Sequence, residues 1–196
     1  MEYFETVYAE NLWKSEESVS GSGSTIKCSE PYLKFLDNFI RSYNIKTILD
    51  AGCGDFNLMK HIDLKNISYL GLDLIKELID KNNKKYSTDI VKFMNIKLHN
   101  FKYDDQYDLI LCKDVLQHWS NQSVITFLSA IKNYKYCLLI NDYNNDEYCN
   151  KNFNVPILDS EYTIVDLTTN PYNANGEYIF EWQSCNTLKK CFLIKK

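Results

Sequence analysis

The sequence predicts an α/β fold, with an open and mostly parallel sheet, helices on both faces of that sheet, and a single domain. Short apolar runs alternate with amphipathic helical stretches between residues 30 and 140. A glycine turn, residues 52–54, directly follows the first apolar run, as at the ligand edge of open α/β sheets. The chain has 196 residues, which suits one domain with a substantial core.

The first thirty residues precede the sheet, and we predict them as a separate segment, 1–30, ahead of the main domain, 31–196. Residues 2–13 have the apolar spacing of a helix rich in aromatic residues. Residues 15–25, SEESVSGSGST, form a segment rich in serine and glycine, called the serine segment below. It is either a flexible linker, which its composition slightly favours, or a lid that closes over a polar ligand beside Trp13.

The other elements follow in order. Ser29 and Pro31 predict the start of a helix that ends at Asn44. Apolar runs predict strands at 47–50, 68–72, 91–96, 108–112 and 136–140, and helical spacing predicts helices at 56–62, 76–86 and 121–131, the last capped by Ser120. An Asn-rich loop, 141–154, precedes further strand candidates at 162–167 and 191–194 and a weaker one at 178–182.

Composition excludes several classes of function. The net charge is −4 and Arg41 is the single arginine, so neither a nucleic-acid surface nor an arginine clamp on phosphate is expected. The seven cysteines form no CxxC pair, which indicates buried thiols in a reducing compartment. No signal peptide and no apolar run near the ~18 residues of a membrane span are present, so we expect a cytoplasmic protein.

Two acidic residues, Asp50 and Asp73, close the first and second predicted strands on either side of the glycine turn. An acid about 20 residues beyond such a turn suits the hydroxyl groups of a ribose. The alternative role for Asp73 is a helix N-cap. A dinucleotide fingerprint would require a third glycine where Asn57 stands, so the turn is a poor cradle for pyrophosphate and favours a cofactor without phosphate groups.

The motifs ILDAGCGD, YLGLD and DLILCKDVLQHW, within residues 47–140, resemble the first, second and fourth motifs of the class I S-adenosylmethionine-dependent methyltransferases. The resemblance implies a Rossmann-like sheet of seven strands, whose last strand lies antiparallel beside the fifth. It implies S-adenosylmethionine as cofactor and S-adenosylhomocysteine as product. SGSGS, GCGDFN and DVLQHW together resemble a group of small methyltransferases that modify surface glycans and other small molecules.

The resemblance also implies roles by position in the cofactor site. The residues implied to contact the cofactor are Asp50, Gly52, Cys53, Gly54, Asp73, Leu74, Cys112 and Lys113. One departure concerns adenine, because no acid follows the third strand before Asp104. Leu98, His99, Asn100 or main-chain groups are left as the alternatives for that contact.

The segment KDVLQHW, 113–119, holds the catalytic candidates. His118 has the intrinsic pKa of a general base, and Asp114 would orient its ring if residues 114–118 formed a helical turn. The alternative is that this pair only shapes the cofactor pocket. Some small-RNA methyltransferases bind a metal through a related pattern, but Gln117 stands here in place of a carboxylate, so no metal is expected.

The substrate candidates are aromatic residues and residues of the loop after the fifth strand, namely Trp13, Trp119, Asn141, Asp142 and Tyr143. We predict O-methylation of a small molecule, in particular a sugar or nucleotide sugar for a surface polysaccharide such as a capsule. The alternatives are N-methylation of an amino sugar, amide or other metabolite, and a catalytically inactive subunit that binds the cofactor. The sequence leaves the oligomeric state open.

Overall fold

The structure is a computed structural model, and it describes residues 3–104, 106–143 and 154–196. Internal contacts divide the chain into two compact units, Met1–Leu98 and His99–Lys196. Most of the predicted Asn-rich loop, together with Cys149, lies outside the described residues. The division into segments 1–30 and 31–196 stays a prediction.

In the described part of the first unit there are three α-helices and three strands. They are α1 (Tyr3–Ala9), α2 (Ile26–Ser42), β1 (Thr47–Ala51), β2 (Ser68–Asp73), α3 (Lys76–Tyr86) and β3 (Val91–Asn95). The parallel pairs β1–β2 and β2–β3 bury apolar side chains such as Ile48, Leu49 and Leu72 completely. Parallel strands covered on both faces read as continuous apolar runs, which is why the sequence pattern located them.

The described residues of the second unit form one α-helix and four strands. They are β4 (Leu109–Lys113), α4 (Asn121–Ile131), β5 (Tyr136–Asp142), β6 (Glu177–Ser184) and β7 (Thr187–Lys195). Ser120 caps α4 as predicted, with its side chain accepting from the Ser123 amide. The strands β4 and β5 are parallel, and both are almost fully buried.

The seven strands follow the order β3–β2–β1–β4–β5–β7–β6. The strand β7 runs antiparallel to both β5 and β6. This arrangement confirms the predicted fold class, including the antiparallel last strand beside the fifth. The candidates at 178–182 and 191–194 are the central parts of β6 and β7.

The predicted start of α2 is wrong. The helix begins at Ile26, and its N-cap is Thr25, whose side chain accepts from the Cys28 amide. Ser29 lies inside the helix, where its hydroxyl donates to the Gly23 carbonyl at 2.7 Å. The sequence holds two capping residues a few positions apart, and the serine segment selects the earlier one.

Three other local predictions are also corrected. Residues 56–62 form only a 3₁₀ turn, Met59–His61, and the predicted helical turn at 114–118 shortens to a 3₁₀ turn, Leu116–His118. Residues 162–167 form no strand and contribute a single bridge at Ile164. The Thr163 amide instead donates to the Gln117 carbonyl at 2.9 Å, so this segment pairs with a turn.

The cysteines follow the prediction only in part. Cys53, Cys112, Cys137 and Cys191 are free thiols, and the last three are buried. Cys28 and Cys185 each take part in a disulfide bond, so the interpretation of all seven as reduced thiols is wrong for these two. Within the described part of the chain, no helix is long and apolar enough to cross a membrane.

Candidate active site

The glycine turn at the end of β1 has a backbone that only glycine adopts easily. Gly52 has a φ of 94° and Gly54 a φ of 53°. The amides of Gly52 and Cys53 both donate to the Leu72 carbonyl of β2, at 2.9 and 3.0 Å. A Cβ on Gly54 would collide with the Ser20 side chain. The turn therefore passes close under the serine segment, with no room for a larger residue.

Asp73, at the end of β2, is bonded to this turn. Its Oδ2 accepts from the Gly54 amide at 3.0 Å and its Oδ1 from the Ile75 amide at 2.9 Å. Burial raises the pKa of Asp73, and those backbone amides oppose the rise. Ile75 is the N-cap of α3, so Asp73 is not the helix cap that was its alternative role. A carboxylate accepts about four hydrogen bonds, which leaves capacity for a ligand.

The neighbouring polar groups of the turn are also buried. Asp50 is 6% exposed, and its Oδ2 accepts from the Tyr69 hydroxyl at 2.7 Å. Burial, together with the nearby carboxylates of Asp73 and Asp50, raises the pKa of the Cys53 thiol. Cys53 therefore stays protonated at neutral pH, which makes it a packing residue of the turn and a poor nucleophile.

The serine segment is anchored to the glycine turn through Asp55. The Asp55 carboxylate accepts from the Ser18 hydroxyl at 3.1 Å, the Val19 amide at 3.0 Å and the Ser20 hydroxyl at 3.4 Å. Ser20 in turn accepts from the Asp55 amide at 3.2 Å and from the Tyr8 hydroxyl at 3.4 Å. Ser18 is only 1% exposed. The linker interpretation is therefore wrong, because the segment is packed and hydrogen-bonded.

Asn57 adds a second anchor for the same segment. Its Nδ2 donates to the Glu17 carboxylate at 2.7 Å and to the Ser24 carbonyl at 2.8 Å. Trp13 lies against Gly21, whose added Cβ would stand 3.5 Å from the indole ring. Asn57, which replaces the third glycine of a dinucleotide motif, thus holds the segment that covers the turn.

Replacing Asp55 with alanine is expected to release the serine segment while the fold remains intact. The variant removes the acceptor shared by Ser18, Val19 and Ser20, so their amides become accessible to solvent. Hydrogen exchange measured by mass spectrometry should show faster exchange in residues 15–25. Asp89→Ala, at an exposed position before β3, is the control and should leave exchange unchanged. Equal protection in both variants would contradict the anchor.

The region expected to meet adenine contains an amide where the usual acid is missing. Asn95, at the end of β3, donates from Nδ2 to the Asp73 carbonyl at 3.1 Å and to the Leu74 carbonyl at 2.9 Å. Among the alternatives considered, Leu98 is buried, whereas His99 and Asn100 are exposed. Asn95 therefore fixes the backbone on either side of Leu74, a role that sequence reasoning missed.

In the second unit, Asp114 lies between two lysines at the end of β4. Lys113 Nζ is 2.5 Å from Asp114 Oδ2, and Lys189 Nζ is 2.6 Å from Asp114 Oδ1. Burial alone would raise the pKa of Asp114, but the two ammonium groups outweigh it and lower the pKa to about 2. Burial lowers the pKa of Lys189, but the carboxylates of Asp114 and Asp142 outweigh burial and raise that pKa. Asp114 has a φ of 59°, so it lies outside the helical face predicted to orient His118.

Asp142, the last residue of β5, is the centre of the same network. Its Oδ1 accepts from Lys189 at 2.5 Å and Thr187 at 3.0 Å. Its Oδ2 accepts from the Tyr162 hydroxyl at 3.2 Å and the Gln117 side-chain amide at 3.3 Å. Four donors match the acceptor capacity of a carboxylate. Asp142, predicted as a substrate contact, is thus saturated by protein groups.

His118 lies at the end of the 3₁₀ turn, with its ring tied to a nearby main-chain group. The Nδ1 atom is 3.2 Å from the Glu161 carbonyl, and that contact requires a proton on Nδ1. In this tautomer the neutral ring keeps Nε2 as its acceptor. Burial lowers the pKa of His118, although the Glu161 carbonyl and Asp114 oppose it. A neutral, oriented imidazole is the form that a general base requires.

Gln117 uses both ends of its side-chain amide within the protein. Nε2 donates to Asp142, and Oε1 accepts from the Asp142 backbone amide at 2.9 Å. Gln117 therefore serves as a structural residue that holds Asp142. Among the described residues, no group of three or more His, Cys, Asp or Glu side chains could hold a metal ion.

The remaining substrate candidates of the second unit are Asn141, Tyr143 and Trp119. Successive strand residues alternate in direction, so Asn141 and Tyr143 point away from the Asp142 face, and Lys190 lies 3.7 Å over the Tyr143 ring. Trp119 packs edge-on against Phe127 of α4, with ring centroids 5.5 Å apart. Cys112 is fully buried. The structure thus separates Asp142 from the two candidates beside it in sequence.

Two residues near His118 were missed from the sequence. Lys189 is 3% exposed and lies in β7 on the same side as Cys191 and Leu193. A lysine among the buried positions of an alternating strand is unusual, and this could have been noticed in the sequence. Tyr162 is 51% exposed, its ring centroid lies 5.9 Å from that of His118, and no strand pattern marks it.

The described chain combines a sheet with the order given above, a glycine turn after β1 and an acid at the end of β2. A methyltransferase domain family model matches residues 49–134. The ubiquinone biosynthesis O-methyltransferase of Hydrogenovibrio crunogenus is 27% identical over 126 residues, covering 61% of this chain and 50% of the relative. The chain thus spans about half the length of that relative.

Solved structures show the same fold at low identity. The magnesium protoporphyrin IX methyltransferase from Synechocystis, with bound S-adenosylhomocysteine, has a TM-score of 0.67 at 10% identity, covering 99% of this chain and 95% of the other. A methyltransferase from Leishmania major has a TM-score of 0.65 at 16% identity, covering 97% and 82%. Residues 49–134 of the chain thus match a methyltransferase domain family, and the chain has the fold of these solved methyltransferases, in agreement with the resemblance of its motifs.

Proposed function

We propose that this protein transfers a methyl group from S-adenosylmethionine to an oxygen atom of a small molecule. The observation that carries the proposal is the Asp73 carboxylate, held by the Gly54 and Ile75 amides and still able to accept from a ribose. Gly54 in the turn beside it has a φ of 53° and lies against the Ser20 side chain, so this position requires glycine.

The proposed cofactor contacts follow the sequence prediction. Asp73 accepts from the ribose hydroxyls, and the backbone of residues 52–54 lies along the methionine part. Asp50 orients the ammonium group, and Leu74 packs against adenine. Cys112 and Lys113 at the end of β4 contribute backbone groups. These assignments remain proposals, supported by the geometry within each unit.

The proposed methyl transfer requires the protein mainly to align the acceptor with the methyl group and to remove a proton. The bound cofactor would supply a methyl group already activated on a sulfonium. His118 would accept the proton of the acceptor hydroxyl on Nε2, because Nδ1 donates to the Glu161 carbonyl. The lowered pKa of His118, caused mainly by burial, keeps this base neutral near pH 7.

The charges around His118 favour an uncharged acceptor. Lys113 and Lys189 are each paired with a carboxylate. The single arginine of the chain, Arg41, belongs to the other unit and pairs with Asp37 on α2. A diphosphate would need an unpaired cation or an arginine fork. Among sugars, the proposal therefore favours a neutral one over a nucleotide sugar. The Hydrogenovibrio relative is named a ubiquinone biosynthesis O-methyltransferase, which adds compounds related to ubiquinone to the acceptor classes worth testing.

Two rival functions stay open to test. The same base would serve N-methylation of an amino sugar or amide, and an inactive subunit would bind the cofactor without turnover. The role in a surface polysaccharide and the cytoplasmic location stay predictions from sequence.

Calorimetry tests the cofactor first. Both S-adenosylmethionine and S-adenosylhomocysteine are expected to bind with measurable heat, while ATP and NAD, offered at equal concentration, are not. Absence of heat with either ligand at millimolar concentration would refute the proposal. A screen of neutral sugars, nucleotide sugars, phenols and amines, with S-adenosylhomocysteine formation as the readout, then ranks the acceptors. Binding without turnover on any of them would favour the inactive subunit.

A further inference from the structure

Lys189 occupies a position where lysine is rarely found. It lies in β7 directly opposite Asp142 of β5, and it is 3% exposed. Its ammonium group contacts Asp114 at 2.6 Å and Asp142 at 2.5 Å. Because Lys113 also pairs with Asp114, two lysines and two carboxylates form a cluster with no net charge. Burying such a cluster carries a desolvation penalty, so its presence needs a reason beyond packing.

Asp142 links Lys189 to two further side chains through hydrogen bonds. One oxygen contacts Lys189 and Thr187, which leaves the other for the Tyr162 hydroxyl and the Gln117 amide. With all acceptor sites used, rotation of this carboxylate would break several hydrogen bonds at once.

The two side chains held by Asp142 belong to the segments that hold His118. Gln117 precedes His118, and its carbonyl accepts from the Thr163 amide at 2.9 Å. The His118 carbonyl accepts from the Ser160 amide at 2.7 Å, and the His118 ring contacts the Glu161 carbonyl. Residues 160–163 thus lie along the 3₁₀ turn, and the Tyr162 hydroxyl anchors them to Asp142.

We propose that Lys189 is a positioning residue, which through Asp142, Gln117 and Tyr162 fixes the ring of His118 for proton removal from the acceptor. This inference rests on the proposed function for the role of His118, but the path from Lys189 to the ring is read from contacts alone. Lys189 itself touches neither cofactor nor acceptor in this proposal. Its charge and its geometry both act on the base.

The charged and titratable groups facing His118 determine whether loss of the Lys189 charge raises or lowers the pKa of His118. Asp114 and Asp142 favour the protonated imidazole, whereas burial and the Lys189 ammonium favour the neutral form and lower the pKa of His118. Lys113 pairs with Asp114, and the Tyr162 ring lies beside the imidazole. Removing the Lys189 charge should therefore raise the pH at which His118 titrates.

The experiment compares Lys189→Met with Lys195→Met, a lysine of the same strand that is 60% exposed in its side chain. The His118 ring is titrated by NMR and assigned by its loss in His118→Gln, since the chain has only three histidines. Lys189→Met is expected to move the His118 midpoint to higher pH and to lower kcat about tenfold to a hundredfold. Lys195→Met should match the wild type in both measurements.

A double variant keeps the test valid if the single variant does not fold. Lys189→Met with Asp142→Asn removes one charge of each sign, so the His118 midpoint should return toward the wild-type value while kcat stays low. An unchanged midpoint in folded Lys189→Met, or wild-type kcat in the double variant, would overturn the inference. The NMR titration needs neither cofactor nor acceptor, so it stands even if the calorimetry refutes the proposed function.

Discussion

Replacing His118 with alanine is expected to lower kcat about 100- to 10,000-fold, the usual contribution of a general base. Cofactor binding should change little, since the contacts assigned to the cofactor lie at other residues. The physical reason is the tautomer, because the Nδ1 contact with the Glu161 carbonyl leaves Nε2 to receive a proton. Steady-state kinetics with the acceptor found in the screen, together with calorimetry, provide the measurement.

The pH dependence of the wild type provides the second part of this prediction. Activity requires the neutral imidazole, so it should fall as acidification protonates the ring. Burial lowers the pKa of His118 below its ordinary value of 6.5, so the midpoint of that fall should lie below pH 6.5. This fall in activity at low pH, the acid limb of the pH profile, should be absent in His118→Ala.

His61→Ala is the matched control, because His61 is an exposed histidine in the 3₁₀ turn Met59–His61. It should retain both the rate and the acid limb. Added imidazole should restore part of the rate in His118→Ala, since a small base can enter the space left by the ring. If His118→Ala keeps the wild-type kcat, the histidine only shapes the pocket and the base hypothesis is refuted.

The fold was predictable because its strands are buried apolar runs and its helices have clear spacing. The helix α3 and the end of α4 fall where helical spacing places them. The errors lie where local alternatives compete. Thr25 and Ser29 are both good caps, and only the packing of the serine segment decides between them. Residues 162–167 have the composition of a strand, yet their backbone bonds to a turn.

The candidate site was predictable to the extent that it lies at strand ends. Asp50 and Asp73 were singled out at strand ends, whereas Asp142 was singled out in the loop predicted after the fifth strand. All three are buried in the structure. Their partners were not predictable, since hydrogen bonds such as that from Ser18 to Asp55 join residues far apart in sequence. The saturation of Asp142 is also a property of the assembled structure, and it changes that residue from a substrate contact into an anchor.

The fixed conformation of the serine segment was likewise not predictable from the sequence. Its composition is that of a linker, and composition alone cannot reveal whether the hydroxyl groups find partners. Asp55 supplies those partners at the end of the glycine turn, so one carboxylate gives an otherwise ordinary segment a fixed conformation. An acid next to a glycine turn, with serines elsewhere in the chain, does not by itself predict that these residues form hydrogen bonds with each other.

Replacing Asp73 with asparagine is expected to weaken S-adenosylmethionine binding about tenfold to a hundredfold. Hydrogen bonds to a charged group contribute about 1.5–3 kcal/mol, which corresponds to that loss of affinity. An asparagine offers one oxygen, so either the Gly54 or the Ile75 amide would also lose its acceptor. Asp80→Asn, on the exposed side of α3 where Asp80 pairs with Lys76, is the control and should bind normally.

A ligand without ribose hydroxyls separates direct contact from support of the turn. In the wild type, S-adenosylhomocysteine should bind more tightly than its 2′,3′-dideoxy analogue, because Asp73 accepts from the hydroxyls. In Asp73→Asn the two ligands should bind almost equally, since the carboxylate that distinguishes them is gone. If the full preference for the hydroxyls survives in Asp73→Asn, then Asp73 acts only by holding Gly54, and the ribose is recognised by another group.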